Sequence, residues 1–243
     1  MKRKKSSTNY EVECKILNVD SETVAHTLQK LGAQQVQNTR LIVDWYTADS
    51  VKDGLIRPKL ISSHEQGGTF MFDWNGRVTS VDVSDLTQAE DMIEEIVRTD
   101  TSKPIPWYLR IRSYSNGTVE VTWKGESEVT GNSRRHKEIN FIVSKAEGMK
   151  SLFDYMGLIS YAHQEKDRVS WTLKDWRFDL DQYPGMPAYL EIEGHDDGHI
   201  KVATRLLGLD LHEITPEGER VLIEQTYGLN WNDMRFHGNI LSP

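Results

Sequence analysis

The sequence holds a single cysteine, Cys14. No disulfide can form within the chain, and the expected compartment is a reducing one, the cytoplasm. No apolar run reaches the length of a membrane span. The basic start, Met1-Lys2-Arg3-Lys4-Lys5, is followed by no apolar stretch, so it reads as a solvated, disordered tail over residues 1–9 and not as a signal peptide. Positive charge is not in excess: 29 Lys and Arg stand against 37 Asp and Glu, a formal net charge of −8. That balance disfavours nucleic acid as a partner, because nonspecific binding to a polyanion needs a basic face. A glycine-rich phosphate loop is absent, and the eight histidines fall at no metal-ligand spacing.

What is there reads as one globular domain over 10–243, with an insertion at about 50–106. An alternating strand over 10–17 precedes a helix over 21–31, capped by Asp20 or Ser21 and stopped by Gly32. A strand from Gln35 to Tyr46 follows. The insertion carries a hairpin at Asn75-Gly76 and a helix opened at Thr87, with Glu90 completing a capping box. It suits a lid, a homodimer contact or plain surface elaboration. Strands over 107–114 and 118–124 turn at Ser115-Asn116-Gly117. Then come a strand from His136 to Val143, a helix over 145–156 closed by Gly157, and strands over 164–172, 177–181 and 188–193. A helix over 198–207 ends at Gly208, and a last helix opens at Thr215 with Pro216 in its first turn. Sliding the chain by 125 positions places Glu13 on Glu138 and Leu31-Gly32 on Met156-Gly157, a faint internal repeat.

Alternate residues of a strand share a face. Glu11, Glu13 and Lys15 lie on one face of the first strand, and Val12, Cys14 and Ile16 on the other. The arrangement recurs with Arg110 and Arg112; with Glu120, Thr122 and Lys124; with His136, Glu138 and Asn140; with Lys166 and Arg168; with Asp179 and Asp181; and with Glu191 and Glu193. A three-residue loop at Ser115-Asn116-Gly117, with Gly117 left-handed, pairs Arg112 with Glu120 and Arg110 with Thr122. That register alone brings Arg110, Arg112 and Lys124 to one face.

A sheet closed with these charges inward, and covered outside by amphipathic helices, would form a charged tunnel. Like charges confined there would repel, and a triphosphate would answer the cations. The carboxylates would serve as oxygen ligands for a hard cation. Trp74 offers an aromatic surface for an adenine.

The set Glu11-x-Glu13-x-Lys15, Leu109-Arg110-Ile111-Arg112, Thr122-Trp123-Lys124-Gly125, the basic pair around Arg168, Asp181 and Tyr189-Leu190-Glu191-Ile192-Glu193 resembles, in order, the CYTH superfamily of triphosphate tunnel metalloenzymes. The resemblance covers most of 10–228 outside the insertion. It implies an α+β fold dominated by β: an eight-stranded antiparallel β-barrel tunnel with helices packed outside. It implies a phosphohydrolase that depends on Mg²⁺ or Mn²⁺ and acts on inorganic triphosphate or on a nucleoside or organic triphosphate such as ATP. The alternatives are a class IV-type adenylate cyclase making cyclic AMP and pyrophosphate, and a non-catalytic polyphosphate or nucleotide binder. An RNA 5′-end triphosphatase is disfavoured by the acidic charge. The implied metal ligands are Glu11, Glu13, Glu138, Asp181, Glu191 and Glu193. Substrate would be held by Lys15, Arg110, Arg112, Lys124, Lys166 and Arg168, of which Lys15, Lys124 and Arg168 would act in catalysis. Asn140 stands where the family often has a second glutamate, which would weaken one metal site.

Overall fold

The computed structural model of the protein describes residues 10–48, 55–62 and 67–236. The basic start at 1–9 lies outside them, as do parts of the insertion. In chain order the elements are β1 (Tyr10–Ile16), α1 (Ser21–Lys30), β2 (Gln34–Ala48), β3 (Lys59–Ser62), β4 (Gly68–Trp74), β5 (Arg77–Val83), α2 (Leu86–Val97), β6 (Tyr108–Tyr114), β7 (Val119–Thr130), β8 (Ser133–Val143), α3 (Ala146–Met156), β9 (Leu158–Leu173), β10 (Trp176–Gln182), β11 (Tyr189–Gly194), α4 (Asp197–Leu206), β12 (Ile214–Thr215), α5 (Glu219–Val221) and β13 (Asp233–Met234). The chain continues from α5 through a π-helical turn, Leu222–Thr226.

Hydrogen bonding runs β1-β11-β10-β9-β2-β6-β7-β8, and β8 pairs back to β1. Eight strands therefore close an antiparallel barrel, the fold class expected from the sequence. Past β8 the sheet branches outward through β5, β4 and β3. The 125-residue repeat is realised element by element, since α1 shifted by that offset falls on α3 and β2 on β9. At the same offset β1 falls on β8, its neighbour in the ring.

The chain divides into two compact units. In the first, mainly Val43–Glu126 with Lys137–Ala162, the apolar faces of β6, β7 and β8 (Leu109, Ile111, Val121, Trp123, Ile139, Phe141) are buried with α3 and with the insertion. From the insertion come Phe70, Phe72, Val81 and Val83 of its strands and Met92, Ile93 and Ile96 of α2. The insertion thus shares the core of this unit and is no loose elaboration. Trp74 packs against the same core instead of standing clear as an aromatic platform. In the second unit, Cys14, Ile16, Trp171, Phe178, Leu190 and Ile192 are buried with Val24 and Leu28 of α1 and Ile200 and Ala203 of α4. In each unit the helices take the apolar face of the sheet, and the charged face is left for the other side.

Local chemistry fixes most element ends where the sequence places them. The Asp20 carboxylate accepts from Thr23 N at 2.8 Å and caps α1. Gly157 closes α3 in the left-handed conformation, φ 91°. Asn75 and Gly76 both have positive φ, as a tight hairpin requires. Three expectations are corrected. The cap of α2 is Asp85, whose side chain accepts from Gln88 N at 3.0 Å; Thr87 is already inside the helix, because an aspartate one step before Leu86 reaches the orphan N–H first. The last helix does not open at Thr215, which pairs with Lys15 in the sheet, and α5 begins only after Gly218. The insertion also contains a third strand, β3, paired to β4.

Asp85→Ala should therefore cost about 1 kcal/mol of stability in urea denaturation, while exposed Thr87→Ala should stay within about 0.5 kcal/mol.

Candidate functional site

In the second unit, cross-strand register builds the charged face row by row. Glu13 stands opposite Glu193, which stands opposite Arg177; Lys15 stands opposite Glu191, which stands opposite Asp179. Asp181 lies between Tyr189 and Arg168. Ionised groups are normally left in solvent, yet Glu13, Lys15, Lys166, Asp179 and Asp181 are all at most 1% exposed.

Burial forces pairing. Lys15 Nζ lies 3.0 Å from both Glu13 and Glu191. Burial and Arg134 push this ammonium toward losing its proton, but Glu13, Glu191 and Glu219 outweigh them and hold it charged above the usual lysine range. Arg168 forks onto Asp181, with Nε to Oδ1 at 2.6 Å, and reaches Asp179 at 2.5 Å. Lys166 Nζ sits 2.7 Å from Asp181 and 2.5 Å from Glu219. The Tyr189 hydroxyl donates to the same two carboxylates, at 2.9 and 2.8 Å, and burial together with those charges pushes its pKa well up. Glu11 binds His136 Nε2 at 2.6 Å, and Arg134 holds Glu13.

On β10 and β11 of the second unit a group of carboxylates converges. Asp179, Glu191 and Glu193 bring oxygen atoms within 4.8 Å of one another. Burial, then Glu11, Asp179 and Glu191, push the Glu193 carboxyl well above its ordinary range. Three hard oxygen donors at that spacing fit a divalent cation of the Mg²⁺ or Mn²⁺ kind, which would remove the repulsion among them.

In the first unit the β6–β7 hairpin takes the expected register. Arg110 pairs with Thr122, Arg112 with Glu120, and Tyr108 with Lys124. Gly117 is left-handed, φ 86°, and its N–H reaches Tyr114 O. Arg112 forms an ion pair with Glu120 and donates to Thr122 Oγ1 at 3.0 Å. The Arg110 guanidinium lies over the Trp45 ring at 5.2 Å. Lys124 Nζ is 3.0 Å from Glu138, which also accepts from Asn140 at 2.7 Å. Asn140 thus holds the Glu138 carboxylate in place.

Of the sequence-designated metal ligands, Glu191 and Glu193 converge with Asp179, Glu11 lies against His136, Glu13 against Lys15 and Arg134, Glu138 against Lys124, and Asp181 is committed to Lys166, Arg168 and Tyr189. Asp179 carried a legible signal, two residues before Asp181 on the same face. Arg134 lies two residues before His136 on the same face of β8 and was missed because the strand was expected to start at His136, while Glu219 carried no signal, since it stands at the start of the short α5. The repulsion expected among the cations is answered inside the protein, since Lys15, Lys124, Lys166, Arg112 and Arg168 each hold a carboxylate.

The CYTH domain family matches residues 107–226, the stretch from the start of β6 through α5. That stretch is a CYTH domain. Three solved structures share its fold. The PH1012 protein of Pyrococcus horikoshii is 18% identical, over 86% of this chain and 96% of that one, with a TM-score of 0.55. A conserved hypothetical protein of Pyrococcus furiosus is 17% identical, over 88% and 99%, at 0.56. A candidate adenylate cyclase of Vibrio parahaemolyticus is 13% identical, over 96% of each chain, at 0.50. No curated protein sequence matches the chain. The match of the CYTH domain spans Arg110 to Glu219 and leaves out β1, whose Glu13 and Lys15 register with β11 joins them to the matched part.

Two consequences are measurable. Cys14, on the apolar side of β1, is 1% exposed, and burial pushes its thiol to about 12. A thiol-reactive disulfide reagent at pH 8 should titrate no cysteine in the native protein and one after unfolding in guanidinium. Burial pushes the Glu120 carboxyl up, but the charges of Arg112 and Arg110 and the Thr122 hydroxyl hold it lower than an ordinary glutamate. Its contribution is present above the unfolded-state pKa and is lost as pH falls through the folded one. Glu120→Gln should therefore reduce stability near pH 7 and flatten its fall between about pH 5 and 3, read from urea midpoints across that range.

Proposed function

We propose that this protein is a divalent-metal-dependent phosphohydrolase acting on a triphosphate. The observation that carries the reading is the convergence of Asp179, Glu191 and Glu193 on the same charged face as Lys15, Lys166 and Arg168. Carboxylates alone would repel a polyphosphate, and cations alone would have no use for an oxygen-donor cluster. Together they suit a phosphate chain that arrives with a cation.

A bound Mg²⁺ or Mn²⁺ would neutralise phosphate oxygens and lower the pKa of a coordinated water. The protein's own part is electrostatic. Asp179, Glu191 and Glu193 would hold the cation. Arg168, locked by Asp179 and Asp181, presents a fixed guanidinium, and Lys166 is held the same way by Asp181 and Glu219. Preorganised charges of this kind stabilise charge that develops on transferring and leaving oxygens without reorganising during the reaction. Lys15 acts as a cation between Glu13 and Glu191, and Lys124 as one beside Glu138. Arg110 and Arg112 grip phosphate oxygens through their planar forks. Glu11, Glu13 and Glu138 set the charge of these partners.

The test is product analysis. Incubated with Mg²⁺ or Mn²⁺, the protein should release orthophosphate from inorganic triphosphate or from ATP and form no cyclic AMP, as resolved by ion-exchange chromatography. EDTA should abolish turnover, and Glu193→Gln should lower kcat by about 10²-fold or more. Cyclic AMP and pyrophosphate from ATP would make the protein a cyclase, and retained binding without turnover would make it a binder.

A further inference from the structure

Among the described residues, the buried charged groups of the second unit stand on strands, with one exception. Glu219 is delivered by α5, a helix of three residues that opens after Gly218 and runs into the π-helical turn Leu222–Thr226. Irregular helical turns of that kind occur often at functional sites. Gly218 lets this segment come close to the charged face, since a Cβ there would lie 2.9 Å from Arg134 Nη1.

The Glu219 carboxylate makes the contacts that a bound phosphate oxygen would make. A single oxygen, Oε1, accepts from the Lys166 ammonium at 2.5 Å and from the Tyr189 hydroxyl at 2.8 Å. An ammonium and a hydroxyl converging on one oxyanion are a built anion site. The charge of Glu219 is also felt by Lys15 and Arg134, so it acts on cations from β1, β8 and β9.

Within this group Glu219 is the member that can be exchanged. Asp181 is fixed in β10 by pairing on both sides, and its carboxylate is shared among Lys166, Arg168 and Tyr189. Glu219 stands on a short turn outside the ladder. Solvent also meets the group at this residue: Glu219 is 9% exposed, against 1% for Lys166 and Tyr189 and 0% for Asp181. Withdrawn by itself, the carboxylate would leave Lys166 short of counter-charge in a poorly solvated place. An arriving phosphate oxygen removes that cost by taking over both donors.

We propose that Glu219 is a tethered stand-in for a phosphoryl group: its Oε1 marks a phosphate subsite formed by Lys166 and Tyr189, and the carboxylate yields that position when the phosphate chain binds. The inference rests on the phosphohydrolase reading and adds to it a residue that sets affinity for the chain. The wild-type protein binds a triphosphate by displacing its own anion.

The test is a binding measurement on the full chain. Bis(methylene)triphosphonate has three phosphorus groups on carbon bridges that water does not cleave, so calorimetric titration in Mg²⁺ reads binding apart from turnover. Glu219→Gln removes the charge and keeps the shape, and Lys166 retains Asp181. This variant should bind the triphosphonate about 10-fold or more tightly than wild type. Glu219→Ala should also bind more tightly. In a Lys166→Met background the gain from Glu219→Gln should shrink to about 2-fold or less, because no ammonium remains to be released, whereas general relief of repulsion would persist there. Circular dichroism checks the fold of each variant. If folded Glu219→Gln and Glu219→Ala bind no more tightly than wild type, the stand-in is overturned and the phosphate reading survives. A gain that persists undiminished with Lys166→Met overturns it as well. Absence of binding by wild type and both Glu219 variants would overturn the phosphate reading and the stand-in together.

Discussion

Buried charge on one face of a sheet is the constraint on which this protein rests. Arg168, Lys166, Asp179 and Asp181 are all at most 5% exposed, and none of them could persist there alone. Each is held by two or more opposite partners across β9, β10 and β11, with Glu219 brought in from α5. Removing a single member strands a charge in a poorly solvated place, so the network stands or falls together. Such a network contributes little net stability compared with an apolar filling. What it contributes is a set of fixed charges, and fixed charges are what phosphate chemistry uses.

The apolar half of the same strands answers a simpler demand. In each unit the side of the sheet away from the charges is covered: by α1 and α4 in one, and by α3 with the insertion in the other. The insertion follows from this logic. Its strands extend the sheet from β8, and α2 adds Met92, Ile93 and Ile96 to the core beside Trp107 and Trp123.

The internal repeat gives the arrangement a second reading. β1-α1-β2 and β8-α3-β9 coincide at the 125-residue offset, yet their charged strands have diverged. Glu11, Glu13 and Lys15 correspond to His136, Glu138 and Asn140. The first strand carries a lysine clasped by two glutamates; the second carries an amide that steadies one glutamate. Asp179, Glu191 and Glu193 converge from β10 and β11.

Much of this was legible in the order of residues. Strand alternation has a period of two, so a row such as Leu109-Arg110-Ile111-Arg112 declares both its faces, and the Ser115-Asn116-Gly117 loop declares the register opposite it. Glycine and aspartate at element ends mark local geometry that depends on a few neighbouring atoms. The sequence by itself therefore determined the strands, the helices, the charged and apolar faces and the class of barrel. It misplaced the ends of α2 and α5, where the choice of cap turned on a neighbour one or two residues away or on pairing with a distant strand. Only the tertiary structure decided which charges meet. Asp179, not Asp181, joins Glu191 and Glu193; Glu219 enters from a short helix with no alternating signature, and Arg134 reaches Glu13 from the neighbouring strand β8. The reason is physical: alternation fixes which way a side chain points, but partners across a sheet are set by how distant strands and helices are brought together, and no local periodicity records that.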